Sequence, residues 1–271
     1  MHSVKIKEVV DALERFAPLP LQESYDNAGL QVGLTEAEVS GALLCLDVTE
    51  NIVDEAVRRG CNLIVAHHPL IFRKLAQVSD ADYVQRTVMK AVKNDIAIVA
   101  MHTNLDSAMG GVNYKIAEKL GLEDVRFLRR SKQVMSSLTG DTVIGGDGVI
   151  GELETPLAAD DFILLLKKLF DVECVQANEL LRRRIRTVAL CGGSGAFLLH
   201  DAVEAGADAF VTGEMGYHEF FGYEQEIQLC VIGHYQSEQY TVEVFRDVIS
   251  RDCPGVKCLL SEVNTNPIVY F

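Results

Sequence analysis

Short, continuous apolar runs recur along the chain and are separated by amphipathic stretches. Apolar runs without alternation are typical of strands that are covered on both faces of a sheet. Strands are predicted at 41–46, 63–66, 97–101, 188–190, 209–212 and 229–232. Helices are predicted where one face is apolar and the other charged, at 52–59, 83–94, 112–120, 159–170, 198–205 and 237–251. Strand–helix alternation of this kind predicts an α/β fold with mainly parallel sheets and right-handed crossovers.

One stretch of the chain repeats. Residues 45–68 align without gaps with residues 191–214, and the identical positions are Cys45/Cys191, Ala56/Ala202, Val57/Val203, Gly60/Gly206 and Val65/Val211. Two explanations of the match are open. One is gene duplication, and the other is the residue pattern that all strand–helix–strand units share, since the glycine falls where a helix ends in a left-handed cap. Between the two copies, 139–154 is rich in glycine and alternates in polarity. This segment predicts strands joined by tight turns and marks the passage into a second α/β unit.

Composition and charge narrow the class of protein. The 271 residues are 48% apolar and 24% charged, as in ordinary globular proteins. A net charge of −14 opposes sequence-independent binding to nucleic acid or to an anionic membrane. Residues 1–10 lack the apolar segment of a secretory signal, and no apolar run is long enough to span a membrane. Seven cysteines without a C-x-x-C pair are typical of reduced thiols, so we expect a cytoplasmic protein.

Two adjacent histidines form the strongest local chemical feature. His67 and His68 directly follow the predicted strand 63–66 and are followed by Pro69. Because the chain turns before a proline, both rings can face the crevice at the carboxyl edge of a parallel sheet, where ligands bind in open α/β folds. The alternative is a pair of ordinary polar loop residues.

A histidine and a carboxylate four residues further on follow two other predicted strands. His102 and Asp106 come after the strand 97–101, and His234 and Glu238 come after 229–232. Asp106 could instead complete a turn, and Glu238 could complement the dipole of a helix that Ser237 caps. Taken together, however, the imidazole and carboxylate groups suit Zn, Mn, Fe or Ni, and five ligands suit two ions that share a carboxylate better than one tetrahedral ion.

Five motifs, in the same order along nearly the whole chain, resemble the NIF-three-like dinuclear metal-centre family. Bacterial members of this family are often described as GTP cyclohydrolase type 2 homologues. Any one of these motifs would be weak, whereas the five together are specific. The motifs are SYDNAGLQVG (24–33), AHHPLIF (66–72), HTNLDSAMGGVN (102–113), TGEMGYHE (212–219) and GHYQSEQ (233–239).

The resemblance implies a ligand set and an architecture. The metal ligands it implies are His67, His68, Asp106, His234 and Glu238, with Glu238 bridging two divalent ions. It also implies two related α/β units, layered α/β/α, with C-terminal strands returning to the first unit, and a homohexameric ring. We place the first unit at 1–128 plus 236–271 and the second at 129–235. Some family members carry an inserted domain of about a hundred residues, for which this chain of 271 residues has no room.

Other motif positions allow two interpretations each. Asp26 and Asn27 could line the site or form a turn before a strand. His102 could orient a ligand without binding the metal itself. The Gly-rich turn CGGSG (191–195) could cradle a phosphate or be only a tight turn. Glu214 and His218 are candidates for proton transfer, although ordinary roles in solvated loops explain them equally well.

A dinuclear centre with two carboxylate ligands keeps a positive charge that would attract a phosphate, and bridging metals give hydroxide near neutral pH. The sequence therefore predicts a metal-dependent hydrolase acting on a nucleotide, with Glu214 or His218 protonating the leaving group. The resemblance implies GTP ring opening in particular. The alternative is a non-catalytic protein: a metal store, an oligomeric scaffold or a regulatory interaction protein. An exposed centre favours catalysis, and a closed centre favours a structural role.

Overall fold

A computed structural model describes residues 3–269 as a mixed α/β protein with two sheets. The helices are α1 Ile6–Phe16, α2 Glu50–Arg59, α3 Tyr83–Lys93, α4 Thr103–Asp106, α5 Val112–Leu120, α6 Ala159–Phe170, α7 Leu199–Glu204, α8 His234–Glu238 and α9 Thr241–Asp252. The strands are β1 Gly29–Val32, β2 Ala42–Cys45, β3 Leu63–Ala66, β4 Ala97–Ala100, β5 Leu122–Met135, β6 Thr142–Leu157, β7 Gln176–Ala177, β8 Ile185–Cys191, β9 Ala209–Thr212, β10 Gln228–Val231 and β11 Cys258–Leu260. The predicted α/β class is confirmed.

The described chain divides by its internal contacts into two units. Unit 1 contains residues 3–108, Gln133–Val143 and Thr241–Val269, and unit 2 contains Met109–Lys132 and Ile144–Tyr240. The sequence-based division, 1–128 plus 236–271 and 129–235, differs from this one mainly because α5 groups with the second unit.

Unit 1 is built on a five-stranded sheet with the order β1-β4-β3-β2-β11. Neighbouring strands among β4, β3, β2 and β11 are parallel, whereas the edge strand β1 pairs with β4 in the antiparallel sense. Alternate strand residues such as Leu43 and Ile64 pack with Ile52 and Val88 of α2 and α3. Helix α9 contacts β2 and β11 and packs against α1. Because the buried strands carry apolar residues on both faces, the sheet lies between two helical layers.

Unit 2 is built on a six-stranded sheet with the order β5-β6-β8-β9-β10-β7. Strands β8, β9 and β10 are parallel, whereas β6 and β7 pair with their neighbours in the antiparallel sense. One face packs with α7 through Ala189, Phe210 and Leu229. Helix α5 contacts β8 and packs with α6. The carboxyl ends of the three parallel strands therefore share one edge, as in unit 1.

The repeated segment folds alike in both units. Ala42 pairs with Leu63 between β2 and β3, and the aligned Val188 pairs with Ala209 between β8 and β9. Gly60 and Gly206 both take a left-handed conformation, with φ of 71° and 72°; Gly60 directly follows α2, and Gly206 lies two residues beyond the end of α7. The same offset thus holds in sequence, in strand register and in the position of the left-handed glycine.

The two His-x3-acid segments are offset by one residue in the structure. Leu63 pairs with Ala97 and its counterpart Ala209 pairs with Gln228, so His102 corresponds to Gly233 and Thr103 corresponds to His234. Helices α4 and α8 accordingly begin at Thr103 and His234. The two segments are therefore similar in sequence, but their histidines do not occupy equivalent positions in the two units.

Two predicted elements were wrong in part. The helix predicted at 237–251 is two helices, and the first begins at His234 instead of being capped by Ser237. The region 139–154 lies largely within the long strand β6, and of the predicted tight turns the structure has one, at residues 137–140 between β5 and β6, where Gly140 has a φ of 73°. Its glycines serve close packing, since a Cβ at Gly146 would lie 2.5 Å from the carbonyl oxygen of Arg129.

Candidate metal centre

Three histidines of unit 1 follow the carboxyl ends of neighbouring parallel strands. His67 and His68 follow β3, and His102 lies two residues beyond β4. The ring centroids of His67 and His68 are 4.8 Å apart, and each lies 5.4 Å from that of His102. One nitrogen of each ring lies within 4.8 Å of a nitrogen of the other two, a spacing that could hold a metal ion. We call these three residues the histidine cluster.

Each ring of the histidine cluster is fixed through Nδ1 by an oxygen atom. Nδ1 of His67 lies 2.8 Å from the carbonyl oxygen of Met101, and Nδ1 of His68 lies 2.8 Å from Oδ1 of Asp47. Nδ1 of His102 lies 2.8 Å from Oδ1 of Asp26. Because these oxygens accept hydrogen bonds, Nδ1 carries the proton and Nε2 is the nitrogen suited to bind a metal. The donor set therefore fits a divalent cation.

The two carboxylates that hold the cluster are themselves fixed. Oδ2 of Asp47 accepts a 2.7 Å hydrogen bond from Thr265. Burial opposes the ionisation of Asp47, but the hydrogen bond and charge of His68 together with the hydrogen bond from Thr265 lower the Asp47 pKa. The Asp26 side chain is fully buried and also accepts hydrogen bonds from the backbone and hydroxyl of Thr103. Burial opposes its ionisation, but the hydrogen bonds from His102 and from the Thr103 hydroxyl lower the Asp26 pKa to about 2. Both groups are therefore carboxylates at neutral pH.

The predicted ligand Asp106 lies beside the histidine cluster. It ends the short helix α4, and its Oδ1 is 3.6 Å from Nε2 of His67. His67 is fully buried, whereas Asp106 is partly exposed. Unit 1 thus brings together three of the predicted ligands, His67, His68 and Asp106, and adds His102 as a further imidazole.

The other two predicted ligands lie together in unit 2. His234 and Glu238 are the first and last residues of α8, and Nε2 of His234 is 3.1 Å from Oε2 of Glu238. Nδ1 of His234 lies 2.9 Å from Oε1 of Glu214, which follows β9. Glu214 also accepts a 2.6 Å hydrogen bond from Ser194, which lowers its pKa, as does His234. An ionised Glu214 therefore holds the His234 ring in place.

The CGGSG turn is held by hydrogen bonds to side chains and lies close against Glu238. The amide of Gly193 donates to Ser237 at 2.9 Å, that of Gly192 to Asn113 at 2.9 Å, and that of Gly195 to Thr212 at 3.0 Å. A Cβ at Gly193 would collide with Oε1 of Glu238. These contacts favour the interpretation as a tight turn, since three of its amides are already bonded to side chains.

The remaining motif positions have separate roles. Asn27 donates a 2.6 Å hydrogen bond to the carbonyl of Ile71, so the segment before β1 holds the backbone that follows the two histidines. His218 is exposed on a 3-10 helix, Tyr217–Phe220, in contact with the rings of Tyr217 and Phe221. No described contact joins His218 to His234 within residues 3–269.

Sequence reasoning missed Asp47, Ser194 and Ser237 as supports of the site. Asp47 had an available signal, because it is an acidic residue two positions beyond a buried apolar strand, at the edge where ligands bind. The two serines gave no such signal, since their partners are distant in sequence.

Residues 4–267 match the family model Duf34/NIF3 (NGG1p interacting factor 3). The chain belongs to this family. A Duf34/NIF3 relative from Clostridium perfringens, named GTP cyclohydrolase 1 type 2 homolog, is 31% identical over 269 residues, covering 98% of this chain and 100% of the relative. A relative of the same name from Staphylococcus epidermidis aligns over 367 positions, more than the 271 residues of this chain, so it carries inserted sequence.

Solved structures agree with the Duf34/NIF3 assignment. A hypothetical protein of Staphylococcus aureus is 27% identical, covers 100% of both chains and has a TM-score of 0.89. A Bacillus cereus protein related to NIF3 is 24% identical, with a TM-score of 0.88 and the same full coverage of both chains, and it supports the fold alone. Among residues 3–269, no helix has the length and apolar character required to cross a membrane.

Proposed function

We propose that this protein is a metal-dependent hydrolase that acts on a nucleotide, with GTP as the first substrate to test. The observation that carries the proposal is the histidine cluster, in which an oxygen fixes Nδ1 of each ring and one nitrogen of each ring lies within 4.8 Å of a nitrogen of the other two. The names of the curated relatives at 30% and 31% identity support GTP as the choice of nucleotide.

The residues that would hold the metal are those the family resemblance implies: His67, His68, Asp106, His234 and Glu238, of which Glu238 would be shared by two divalent ions. His102 would orient a ligand without binding the metal itself. Imidazole and carboxylate donors suit Zn, Fe, Mn or Ni. When bound, such ions act as Lewis acids and lower the pKa of water.

The chain's own residues have distinct proposed roles. Asp47 fixes the ring of His68, and Glu214 fixes that of His234, each through Nδ1. Since the pKa of Glu214 is lowered, this carboxyl is ionised at neutral pH and is a poor proton donor. Of the two candidates for proton transfer, we therefore assign leaving-group protonation to His218 and the positioning of His234 to Glu214.

Two further proposals rest on the cysteine pattern and on the family resemblance, respectively. We propose a cytoplasmic location and a homohexamer. Sedimentation velocity at several protein concentrations tests the assembly, and a species of one or two chains would overturn it.

Turnover is tested on the full chain reconstituted with one defined metal at a time. We expect metal-dependent release of product from GTP or from a member of a panel of phosphoesters. The control is the same protein treated with chelator. If turnover with metal never exceeds that of the control, the protein is a metal store or scaffold with respect to these substrates.

The ligand set is tested by metal content. Glu238→Gln should lower the bound metal sharply, because a neutral amide does not bridge two cations as a carboxylate does. Glu173→Gln, at an exposed position of the same unit, is the matched control. Two metal ions per chain in Glu238→Gln, measured by inductively coupled plasma mass spectrometry, would contradict the assignment.

A further inference from the structure

A cavity of about 430 Å³ lies in unit 1 just beyond the two adjacent histidines. Its walls are the segment that begins at Pro69, directly after His68, and the start of α3 at Tyr83. This volume is within the range of pockets that hold small organic ligands. The cavity is not part of the predicted ligand set, so the proposed function leaves it unexplained.

The cavity is next to the histidine cluster. Phe72 lines it, and the centroid of the Phe72 ring is 6.2 Å from that of His102 and 6.4 Å from that of Tyr25. A ligand in the cavity would therefore be separated from the His102 ring by a single aromatic side chain.

Two adjacent cationic residues, Arg73 and Lys74, line the cavity and are exposed to solvent. Within residues 3–269, no carboxylate forms an ion pair with either of them. The acidic residue in the lining, Asp82, is engaged elsewhere: its two oxygens accept hydrogen bonds from the backbone and side-chain amides of Gln85 at the start of α3. With two cationic residues and one carboxylate, the lining carries a net charge of +1 in a protein whose net charge is −14.

The rest of the lining suits an organic group. Leu75, Tyr83 and Val84 present apolar surface, and the Tyr83 ring is 58% exposed. The cavity thus combines adjacent cations with an apolar wall, which matches an anionic molecule that carries a flat or apolar part.

We infer that this cavity binds the phosphate chain of a nucleotide, with Arg73 and Lys74 on the phosphate oxygens and the remainder of the nucleotide against Leu75, Tyr83 and Val84. The inference rests on the proposed function for the choice of a nucleotide, and it assigns that substrate a binding site outside the metal ligands. Arg73 contributes a planar guanidinium that can contact two oxygens, and Lys74 contributes a compact charge.

Binding is measured by calorimetry with the full chain, freed of metal by chelator and kept in buffer without divalent ions. The probes are GTP, inorganic tripolyphosphate and guanosine. We expect GTP and tripolyphosphate to bind, and guanosine to bind at least tenfold more weakly than GTP. Guanosine binding as tightly as GTP would overturn the inference, and so would an absence of GTP binding.

Three double variants locate the site. Arg73→Gln/Lys74→Gln should raise the Kd for GTP at least tenfold, whereas Arg73→Lys/Lys74→Arg, which keeps both charges, should stay within about threefold of the original protein. Arg58→Gln/Lys93→Gln removes the same charge from two exposed helix positions of unit 1 and should leave the Kd within twofold. Equal losses in the two glutamine pairs would show that only the net charge matters and would overturn the inference.

This experiment separates the two proposals. Because it is done without metal, binding in the cavity can be found in a protein that has no hydrolase activity. Conversely, the protein could hydrolyse GTP with metal while its Kd for GTP stays unchanged in Arg73→Gln/Lys74→Gln. That result would support the proposed function and refute the phosphate site.

Discussion

At the residue scale, the candidate site depends on how each imidazole is held. Nδ1 of His67 bonds to a backbone carbonyl, whereas His68 and His102 bond to Asp47 and Asp26. A carboxylate partner increases the basicity of a metal-binding imidazole more than a carbonyl does. The three rings are therefore fixed in orientation but differ in their capacity to donate to a cation.

Asp26→Asn should change the stability of the protein in acid. The Asp26 pKa is about 2 in the folded state, below its unfolded value, so its ionisation stabilises the fold above about pH 4 by about 2 kcal/mol. This contribution is lost as the pH falls from about 4 towards 2. In urea unfolding measured between pH 7 and pH 2, the free energy of unfolding should fall less on acidification in Asp26→Asn than in the original protein.

Thr103→Val is the matched control for Asp26. It keeps the carboxylate and the hydrogen bond to His102 but removes the hydroxyl donor, so its acid loss should lie between those of the other two proteins. An unchanged pH dependence in Asp26→Asn would contradict the assigned ionisation.

At the element scale, short turns rather than long helices place the functional groups. Helix α8 has five residues, and it begins at His234 because Gly233, with φ of 94°, turns the chain directly after β10. The turn after β8 approaches α8 closely, since a Cβ at Gly193 would meet Glu238. Contacts between these two turns therefore determine where the His234 and Glu238 side chains lie.

Gly193→Ala should destabilise the protein by more than the positive φ of Gly193 alone would cause. Gly193 and Gly206 have similar φ values of 59° and 72°, but a Cβ at Gly206 meets nothing within 4 Å. Gly206→Ala should cost about 1 kcal/mol from backbone strain. Gly193→Ala should cost more and also weaken metal binding. Chemical unfolding and metal titration measure both effects, and equal behaviour of the two variants would refute the role given to Gly193.

The C-terminal strand β11 is held in unit 1 by a buried carboxylate. Glu55 of α2 accepts hydrogen bonds from Arg59, from the hydroxyl of Ser261 and from the backbone amide of Glu262. Burial opposes its ionisation, and these partners nevertheless lower the Glu55 pKa. Strand β11, which ends one residue before Ser261, is thus joined to the helix as well as to β2.

Glu55→Ala should destabilise the protein by about 3 kcal/mol, because it removes a buried carboxylate that accepts hydrogen bonds from Arg59, Ser261 and the backbone amide of Glu262. The rate of amide hydrogen exchange in β11 should increase in the same variant. Asp54→Ala, which removes an exposed ion pair with Lys90, should cost less than about 1 kcal/mol. If the two losses were equal, Glu55 would not anchor the strand.

At the scale of the whole molecule, the two units repeat one structural plan. Both place parallel strands beside each other in the same register, and both carry polar side chains just past the carboxyl ends of those strands. The one-residue offset between the His102 and His234 segments shows that the two edges have diverged in the residues they carry. The repeat thus explains the shared scaffold and not the ligands.

Divalent metal should stabilise the full chain. At a hundredfold excess over the Kd, a ligand that binds only the folded state adds about 2.7 kcal/mol, which corresponds to a rise in Tm of roughly 5 °C or more. Zn, Mn, Ni or Fe(II) should produce this rise and chelator should reverse it. Calcium is the control ion, because it prefers sites made of oxygen ligands alone. A Tm unaffected by every metal would contradict the proposed centre.

Much of the fold follows from the sequence because buried parallel strands and amphipathic helices leave clear local patterns. The six predicted strands correspond to β2, β3, β4, β8, β9 and β10. Helix α1 was missed although its buried residues Ile6, Val9 and Leu13 follow a helical period. The long strand β6 was misread because its glycines, which allow close packing against β5, look locally like turn residues.

The sequence by itself determined the α/β class, the repeat and the histidines beyond the strand ends, since each of these depends on residues close together in the chain. Only the tertiary structure decided that Asp47 holds His68, that Asp26 holds His102 and that Ser237 supports the turn at Gly193. These partners are separated by 21, 76 and 44 positions along the chain. Hydrogen bonds between such distant residues depend on how the strands are ordered in the sheet, which no local pattern encodes.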